Sequence, residues 1–302
     1  MFLRRRCMMN KIRQRMTTVL LVAVLVAGIG IMCYPFISDW WNSFHQTRAI
    51  QDYDAAVEKM DKADYESYFG KAEEYNRKLQ AMEKPFEQFD EVRDEYFNTL
   101  DATGNGIIGY VTIPTIGIEL PIYHGTDDDV LNIAVGHLEG STFPIGGEST
   151  HAVLSAHRGL PTSKLFTNLD KVQEGDIFTI KVLDRLLTYR VDQILIVEPD
   201  MTDALEIIDG MDCCTLVTCT PYGINTHRLL VRGTRTDNES APAVIRNEAY
   251  RIPYTKVILT VTIPLFVLLF LTLMLMKPKK CTEPGIAELD RIIWKRTGDN
   301  GK

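Results

Sequence analysis

Three side chains suited to acyl transfer stand at the ends of predicted strands: Cys219, His157 and Arg228. Cys219 ends the apolar run 214–218 and precedes a loop with Pro and Gly, so its side chain is expected at the rim of a sheet. His157 ends a second predicted strand, and Arg228 opens a third, nine residues after the cysteine. A hairpin joining Cys219 to Arg228 would put both at the same end of two neighbouring strands.

A thiol, an imidazole and a guanidinium can share the work of acyl transfer. A thiolate attacks a carbonyl carbon, an imidazolium gives a proton to the departing amine, and a fixed cation stabilises the oxyanion or orients the substrate carbonyl. A nearby cation also favours the reactive thiolate. Position alone leaves another interpretation open, because a cysteine at a strand end is commonly a small packed hydrophobic side chain.

Short strands are the elements that would position these residues. From Ile107 on, runs rich in Val, Ile, Thr and Tyr alternate with turn signals, and a hairpin turn is expected at Asp184-Arg185. Seven or eight such strands without long helices between them predict a mainly β domain over 105–236, as a closed barrel or a sandwich.

The preceding segment has a different character. Residues 42–100 are acidic and rich in helix-forming side chains, which predicts two or more helices, interrupted near Gly70 and ended near Pro85. One interpretation of 38–104 is an extracellular helical stalk that lifts the β domain off a membrane, and the alternative is a lid over its active site.

Two apolar runs, 17–37 and 257–276, contain no charged side chain, and about 20 apolar residues suffice to cross a bilayer. Basic residues precede the first run in 1–16 and follow the second at the start of the tail 277–302. The positive-inside rule therefore predicts a two-pass protein of the cell membrane with both termini in the cytoplasm and the β domain outside.

Each apolar run has an alternative explanation. The first could be a cleaved signal peptide, although no small-residue cleavage site follows it, and the second could be a buried core helix. Residues 237–255 are expected to be a linker between the β domain and the second run.

Charge and cysteine usage exclude some functions. Residues 42–250 carry 18 Lys and Arg against 35 Asp and Glu, a net charge of −17, which argues against nucleic acid as a partner. Of the six cysteines, Cys213, Cys214 and Cys219 are expected on the extracytoplasmic side of the membrane. Cysteines this close together in an extended segment are poorly placed to form a disulfide. An exported domain without a disulfide framework suggests a Gram-positive surface.

Several motifs resemble those of the sortase family. The segment TLVTC at 215–219 matches the family's cysteine motif, and LSAHRG at 154–159 resembles its histidine motif. The run 215–233 is similar to the signature of class C, the pilus-assembling sortases. Further segments that resemble the family are GYVTIP (109–114), LPIYHGT (120–126), VGHLEGS (135–141) and KLFTNLDKV (164–172).

This resemblance implies an eight-stranded closed β-barrel of the sortase type. It implies Cys219 as nucleophile, His157 as general acid and base, and Arg228 as the group that stabilises the oxyanion or substrate. It also implies cleavage of an LPxTG-like sorting signal between Thr and Gly through a thioacyl enzyme, with transfer to a lysine amine of a pilin subunit. No cofactor and no metal are implied.

The chain departs from class C at the lid, where that class usually has Asp-Pro-Trp or Asp-Pro-Phe. Neither tripeptide is present, and the nearest sequence is KPFEQFD at 84–90. By its spacing to Tyr96, Phe89 is expected in the position of the lid aromatic residue, with Phe86 as the alternative.

Other reactive side chains have simpler explanations. His124 and His137 are expected to have structural hydrogen-bonding roles, and Cys213 to be a packed thiol on the same strand face as Cys219. The acidic run 127–129 lacks the spacing of an EF-hand and is expected to be a solvated turn.

Two alternative functions stay open from the sequence. One is a sortase that attaches surface proteins to cell-wall peptidoglycan. The other is a non-catalytic membrane scaffold that uses the barrel only to bind pilins.

Overall fold

The computed structural model describes residues 2–238, together with residues 266 and 270. The predicted apolar run 257–276, apart from these last two residues, most of the linker 237–255 and the tail 277–302 lie outside the described residues. The chain divides into two compact units, Met1–Cys33 with Tyr250–Lys302, and Tyr34–Ala249.

Helix α1 spans Phe2–Val57. Within it, the stretch Arg15–Val57 contains a window with a mean hydropathy of 2.5, and this is long and apolar enough to cross a membrane by length and composition. The first apolar run predicted from the sequence therefore lies within a helix.

Helix α2 spans Lys62–Ala81. Its start is set by Asp61, whose carboxylate accepts from the amide of Asp64 in a reciprocal capping box. The expected interruption at Gly70 is wrong, because α2 runs through this residue and the chain instead breaks between α1 and α2. One glycine inside a helix costs only about 1 kcal/mol, which the packed face of α2 offsets.

Eight strands form a closed barrel in the order β1-β2-β3-β4-β7-β8-β6-β5, and β5 pairs with β1 to close it. This confirms the predicted fold and selects the barrel over the sandwich. The strands are β1 Ile107–Ile113, β2 Ile118–His124, β3 Val135–His137, β4 Thr150–Ser155, β5 Ile177–Val182, β6 Arg185–Val197, β7 Asp212–Thr220 and β8 His227–Thr236.

Short helical segments precede the barrel or connect its strands. They are α3 at Arg93–Phe97, α4 at Asp128–Leu131, and 3-10 helices at Phe89–Glu91, Pro114–Ile116, Leu169–Lys171 and Asp203–Leu205. The acidic run 127–129 begins α4 rather than forming a turn.

The β5–β6 hairpin differs by one residue from the expectation. Val182 pairs with Arg185, so the turn is Leu183-Asp184 and Arg185 already belongs to β6. Leu183 has a φ of 51°, a left-handed conformation that rarely suits a leucine. Its side chain is fully buried in the core, and this burial outweighs the local preference.

The helical segment before the barrel packs against it instead of standing apart as a free stalk. The Tyr53 hydroxyl of α1 donates to the Ile108 carbonyl and accepts from the Leu183 amide, both at 2.8 Å. Tyr75 and Leu79 of α2 are fully buried in the same hydrophobic core as the barrel strands. Residues 42–100 are thus part of the compact unit that contains the barrel.

Candidate active site

Cys219 and Arg228 are direct partners in the antiparallel pair of β7 and β8. Paired residues on antiparallel strands have Cβ atoms about 4.5–5.5 Å apart and point to the same face of the sheet. The hairpin expected from the sequence therefore exists, and it brings the thiol and the guanidinium together at one end of two strands.

His157 follows a strand that pairs with the other edge of β7. Strand β4 is parallel to β7, with Ser155 paired to Val217. The strand ends at Ser155, two residues before the histidine, but the Ala156 amide still donates to the Val217 carbonyl at 3.1 Å. The chain that leads into His157 therefore runs beside the strand of Cys219, and neighbouring strands lie about 4.8 Å apart.

The candidate residues lie on the outer face of the barrel. Successive side chains of a strand point to opposite faces, and Leu216 belongs to the main core whereas Val217 does not. Cys219 therefore shares the outer face with Val217. This face carries a second, smaller apolar cluster of buried side chains, which are Val153, Leu205, Val217 and Leu230.

Cys219, His157 and Arg228 are all partly exposed. Among the described residues, the Arg228 guanidinium makes long contacts, from Nη1 to the carbonyls of Asn225 at 3.4 Å and His227 at 3.3 Å. These contacts hold it at the loop that follows β7. The thiol and the cation thus lie partly exposed beside this buried apolar cluster.

The other two cysteines of the β domain, Cys213 and Cys214, are unsuited to act as the nucleophile. Cys213 and Cys214 are buried, and burial raises the pKa of both thiols. Cys213 shares a strand face with Cys219 but lies six residues away, about 20 Å at 3.3 Å per residue. It is a packed thiol and not a neighbour of the nucleophile candidate.

Arg158, which follows His157 in the histidine motif, is a residue of the site that the motifs alone did not predict. Its side chain is only 7% exposed, and its Nη2 lies 2.7 Å from an oxygen of Asp170. Its Nη1 donates to the Thr220 hydroxyl at 3.1 Å. The signal that could have identified it is its place directly after His157, within a motif that otherwise consists of small or apolar residues.

The two aromatic residues proposed for the lid lie in different places. Phe89 is 7% exposed and belongs to the main core, where its ring meets Tyr96 edge to face at 5.3 Å. Phe86 packs against the second apolar cluster, which includes Val217. Phe86, rather than Phe89, therefore lies on the face that carries Cys219.

A glycine allows this close approach of the lid segment. A Cβ on Gly140 would lie 2.9 Å from the Phe86 Cα and 3.0 Å from the Pro85 carbonyl oxygen. Any side chain at Gly140 would therefore push the segment away, and its φ of 81° also favours glycine.

His124 and His137 are buried and hydrogen bonded, in agreement with the structural role expected for them. Burial lowers the pKa of His137 to about 3, and its Nε2 lies 2.9 Å from the Thr142 carbonyl. Burial also lowers the pKa of His124, whose ring nitrogens meet the carbonyls of Gly106 and Thr99. Burial therefore favours the neutral form of both imidazoles.

Within residues 2–238, no group of three or more His, Cys, Asp or Glu side chains is arranged to hold a metal ion. The reactive groups identified at the site are the Cys219 thiol, the His157 imidazole and the Arg228 guanidinium.

Comparison with known proteins adds a family to this geometry. Residues 111–236 match the family described as Sortase domain. Sortase D of Bacillus subtilis (strain 168) is 32% identical over 130 residues, which are 42% of this chain and 63% of that protein. This chain thus spans less than two thirds of the length of that curated relative.

Solved structures match over a larger part of their own length. Sortase C1 of Streptococcus agalactiae is 50% identical with a TM-score of 0.61, over 63% of this chain and 99% of that chain. Sortase C of Streptococcus pneumoniae, from a study of catalysis and pilin substrate specificity, is 46% identical with a TM-score of 0.56. That match covers 63% of this chain and 97% of the other.

Proposed function

Because the chain belongs to the sortase family, and within it to class C, we propose that it is a membrane-anchored cysteine transpeptidase that polymerises pilin subunits. The observation that carries the proposal is the direct pairing of Cys219 with Arg228 on β7 and β8. A third reactive side chain, His157, follows the strand that pairs with β7 on its other edge.

In the first step, the Cys219 thiolate attacks the carbonyl carbon of the Thr in an LPxTG-like sorting signal. The new C–S bond forms as the carbonyl π electrons move to oxygen, and the Arg228 guanidinium stabilises this negative charge. The Thr–Gly bond then breaks, and the imidazolium of His157 gives a proton to the departing Gly amine. The products are a thioacyl enzyme and a released C-terminal fragment.

In the second step, a lysine amine of another pilin subunit attacks the thioester carbonyl. Neutral His157 accepts a proton from the attacking nitrogen, an amide bond forms, and the C–S bond breaks to return the Cys219 thiolate. One peptide bond is exchanged for one isopeptide bond, so no cofactor and no redox partner are needed.

The choice of pilin as substrate is supported by the class of the structural neighbours. The sortase C of Streptococcus pneumoniae was studied for its pilin substrate specificity. The outer face of β4, β7 and β8 offers an apolar surface beside Cys219, which suits the Leu and Pro of a sorting signal.

The proposed location is the cell membrane, with the barrel outside and both termini inside. The apolar window of α1 supports a first anchor by its length and composition. The second anchor at 257–276 rests on the sequence alone, through its apolar run and the lysines that follow it.

We also propose that the segment 82–92 acts as a lid over the cleft, with Phe86 as its aromatic contact. Phe86 packs on the same outer face as Cys219, whereas Phe89 anchors the segment in the main core. Two carboxylates of the segment pair locally, Glu87 with Lys84 and Asp90 with Arg93. We therefore expect apolar packing of Phe86 to hold the lid closed.

The proposed reaction is tested by mass spectrometry of the detergent-solubilised full chain with an LPxTG-type peptide. The wild type should gain the mass of the acyl group on Cys219, and Cys219→Ala should not. Cys213→Ala is the matched control, since this buried thiol lies far along the same strand, and it should keep the adduct. An adduct that persists in Cys219→Ala would falsify the proposed nucleophile.

The accepted amine separates the two enzymatic alternatives. A pilin domain with its lysine should resolve the thioacyl enzyme if the chain builds pili. Resolution only by a peptidoglycan precursor amine would instead identify a sortase that anchors proteins to the wall. A chain that binds pilin but forms no adduct would be the non-catalytic scaffold.

A further inference from the structure

Arg158 joins the loop that contains His157 to the end of β7, directly after Cys219. Its Nη1 donates to the hydroxyl of Thr220, the residue directly after the cysteine, at 3.1 Å. Its Nη2 meets the carboxylate of Asp170 at 2.7 Å, and Asp170 belongs to the 3-10 helix Leu169–Lys171. One buried guanidinium thus connects the histidine loop, the end of β7 and a helical turn of the barrel.

The backbone on the two sides of His157 is held differently. Before the histidine, Ala156 is bonded directly to the cysteine strand, because its carbonyl accepts from the Thr218 hydroxyl at 2.7 Å. After it, the Phe166 amide donates to the His157 carbonyl at 3.2 Å and the Gly159 amide donates to the Thr167 hydroxyl at 3.1 Å, both within the loop. The contact of Arg158 to Thr220 thus joins the part of the loop that follows His157 to the strand of the cysteine.

Tyr222 adds a further contact between the loop after β7 and the residues that follow His157. Its ring centroid lies 6.0 Å from the Arg158 guanidinium, and the ring packs over Gly159 so closely that a Cβ there would come within 3.0 Å of it. Tyr222 is otherwise 60% exposed in the loop between β7 and β8. The exposed loop after Cys219 thus rests on the backbone and side chain that directly follow His157.

We propose that Arg158 is a positioning residue that fixes the distance between His157 and Cys219 by tying their two loops together. The proposal rests on the proposed function, since it concerns the geometry of the same thiol and imidazole. Arg158 itself touches neither the substrate nor the reacting atoms. It acts through Thr220 on one side and through its chain neighbour His157 on the other.

A guanidinium suits this role and an ammonium does not. The planar fork of Arg offers two separate nitrogen atoms that reach a hydroxyl and a carboxylate together, whereas Lys offers one point charge. Asp170 compensates the buried charge, as burial of a cation requires. The Nε of Arg158 is buried and has no partner among the described residues, so the two terminal nitrogens carry all of its hydrogen bonds.

The test compares the kinetics of acyl-enzyme formation in Arg158→Lys, Arg158→Gln, Thr220→Val and Thr220→Ser, with an LPxTG-type peptide and the full chain. Arg158→Lys and Arg158→Gln should both lower kcat by about 10- to 100-fold with little change in KM, because the reacting groups are misplaced while substrate contacts stay. Thr220→Val should act in the same direction, and Thr220→Ser, which keeps the hydroxyl, should restore the rate.

Arg232→Gln is the matched control, since Arg232 on β8 forms a comparable salt bridge with Asp192 on β6, at 2.8 Å. It should lower the melting temperature as Arg158→Gln does and leave kcat near the wild-type value. Full activity of Arg158→Lys would overturn the proposal by showing that only charge matters. An equal kcat loss in Arg232→Gln would overturn it by showing that only stability matters.

Hydrogen exchange tests the same link without any peptide. Arg158→Gln should speed amide exchange in both 157–167 and 220–227, while Arg232→Gln should not. Faster exchange in only one of these loops would refute the link, even if the wild type formed no adduct. A wild type without an adduct, but with coupled exchange, would refute the proposed function alone.

Discussion

Cys219 and Arg228 face each other across the β7–β8 pair, one residue before the end of β7. In a ladder pair of this kind the register is fixed over eight consecutive residue pairs, from Cys213 with Thr234 to Thr220 with His227. The relative position of thiol and guanidinium is therefore set by the sheet and not by a flexible loop.

This pairing predicts a large effect of Arg228 on the chemical step. Arg228→Ala should lower kcat for acylation by about 100- to 1,000-fold, the range seen when one donor to an oxyanion is removed. Arg228→Lys should recover only part of this rate. His227→Gln is the neighbouring control, since this exposed side chain points to the opposite face, and its kcat should stay near wild type. A full loss in His227→Gln would point to damage of the strand instead.

Because Phe86 and Phe89 lie in different places, their alanine variants are expected to change different properties of the protein. Phe86→Ala should speed alkylation of Cys219 and peptide cleavage several-fold, since it removes the packing of the lid on the outer face. Phe89→Ala should instead reduce stability by about 3–5 kcal/mol, because Phe89 is a core residue. Alkylation is followed by peptide mapping of Cys219. An unchanged rate in Phe86→Ala would mean that the segment does not cover the cleft.

Tyr53 predicts how firmly α1 holds the barrel. Tyr53→Phe should reduce the free energy of unfolding by about 1–3 kcal/mol, because it leaves the Ile108 carbonyl and the Leu183 amide without this partner. Tyr65→Phe is the matched control, since its half-buried hydroxyl makes a single bond to the Val57 carbonyl, and a smaller loss is expected. Denaturant titration of the detergent-solubilised chain measures both, and equal losses would contradict the bridging role.

Buried His137 predicts lower stability in acid. The pKa of His137 in the folded chain, about 3, lies below the ordinary value of 6.5. Between these two pH values, His137 therefore binds a proton in the unfolded chain but not in the folded chain. The free energy of unfolding is therefore unaffected above pH 6.5, and it falls by about 1.4 kcal/mol per pH unit as the pH drops from there towards 3. Between pH 7.5 and pH 5 this amounts to about 2 kcal/mol.

His137→Gln removes this contribution and should reduce the slope of the stability curve between pH 7.5 and 5, while buried His124 and His151, whose pKa values are also lowered, keep their share of the slope. The exposed His45→Gln is the control, and its curve should follow that of the wild type. Comparing slopes instead of absolute stabilities separates proton binding from any packing loss. Equal slopes in the wild type and His137→Gln would show that His137 does not contribute to the loss of stability in acid.

Several features of the site were predictable because they depend on local order along the chain. The strand run around Cys219 and the short connection to Arg228 were sufficient to predict a hairpin with both residues at one end. The motif around His157 identified the third member, although the strand itself ends at Ser155 and the histidine lies in the loop beyond it. Strand β3 was too short, at three residues, to be recognised as a strand.

The sequence by itself determined the β class of the domain, the apolar run within α1 and the residues that bear the chemistry, because these follow from residue type and short spacing. Only the tertiary structure decided that β4 lies beside β7, which brings the strand that leads into His157 next to the strand of Cys219 across more than 60 residues of chain. It also separated Phe86 from Phe89 and assigned partners to Arg158. Contacts of this kind depend on which surfaces meet after folding, and neither periodicity nor spacing along one chain carries that information.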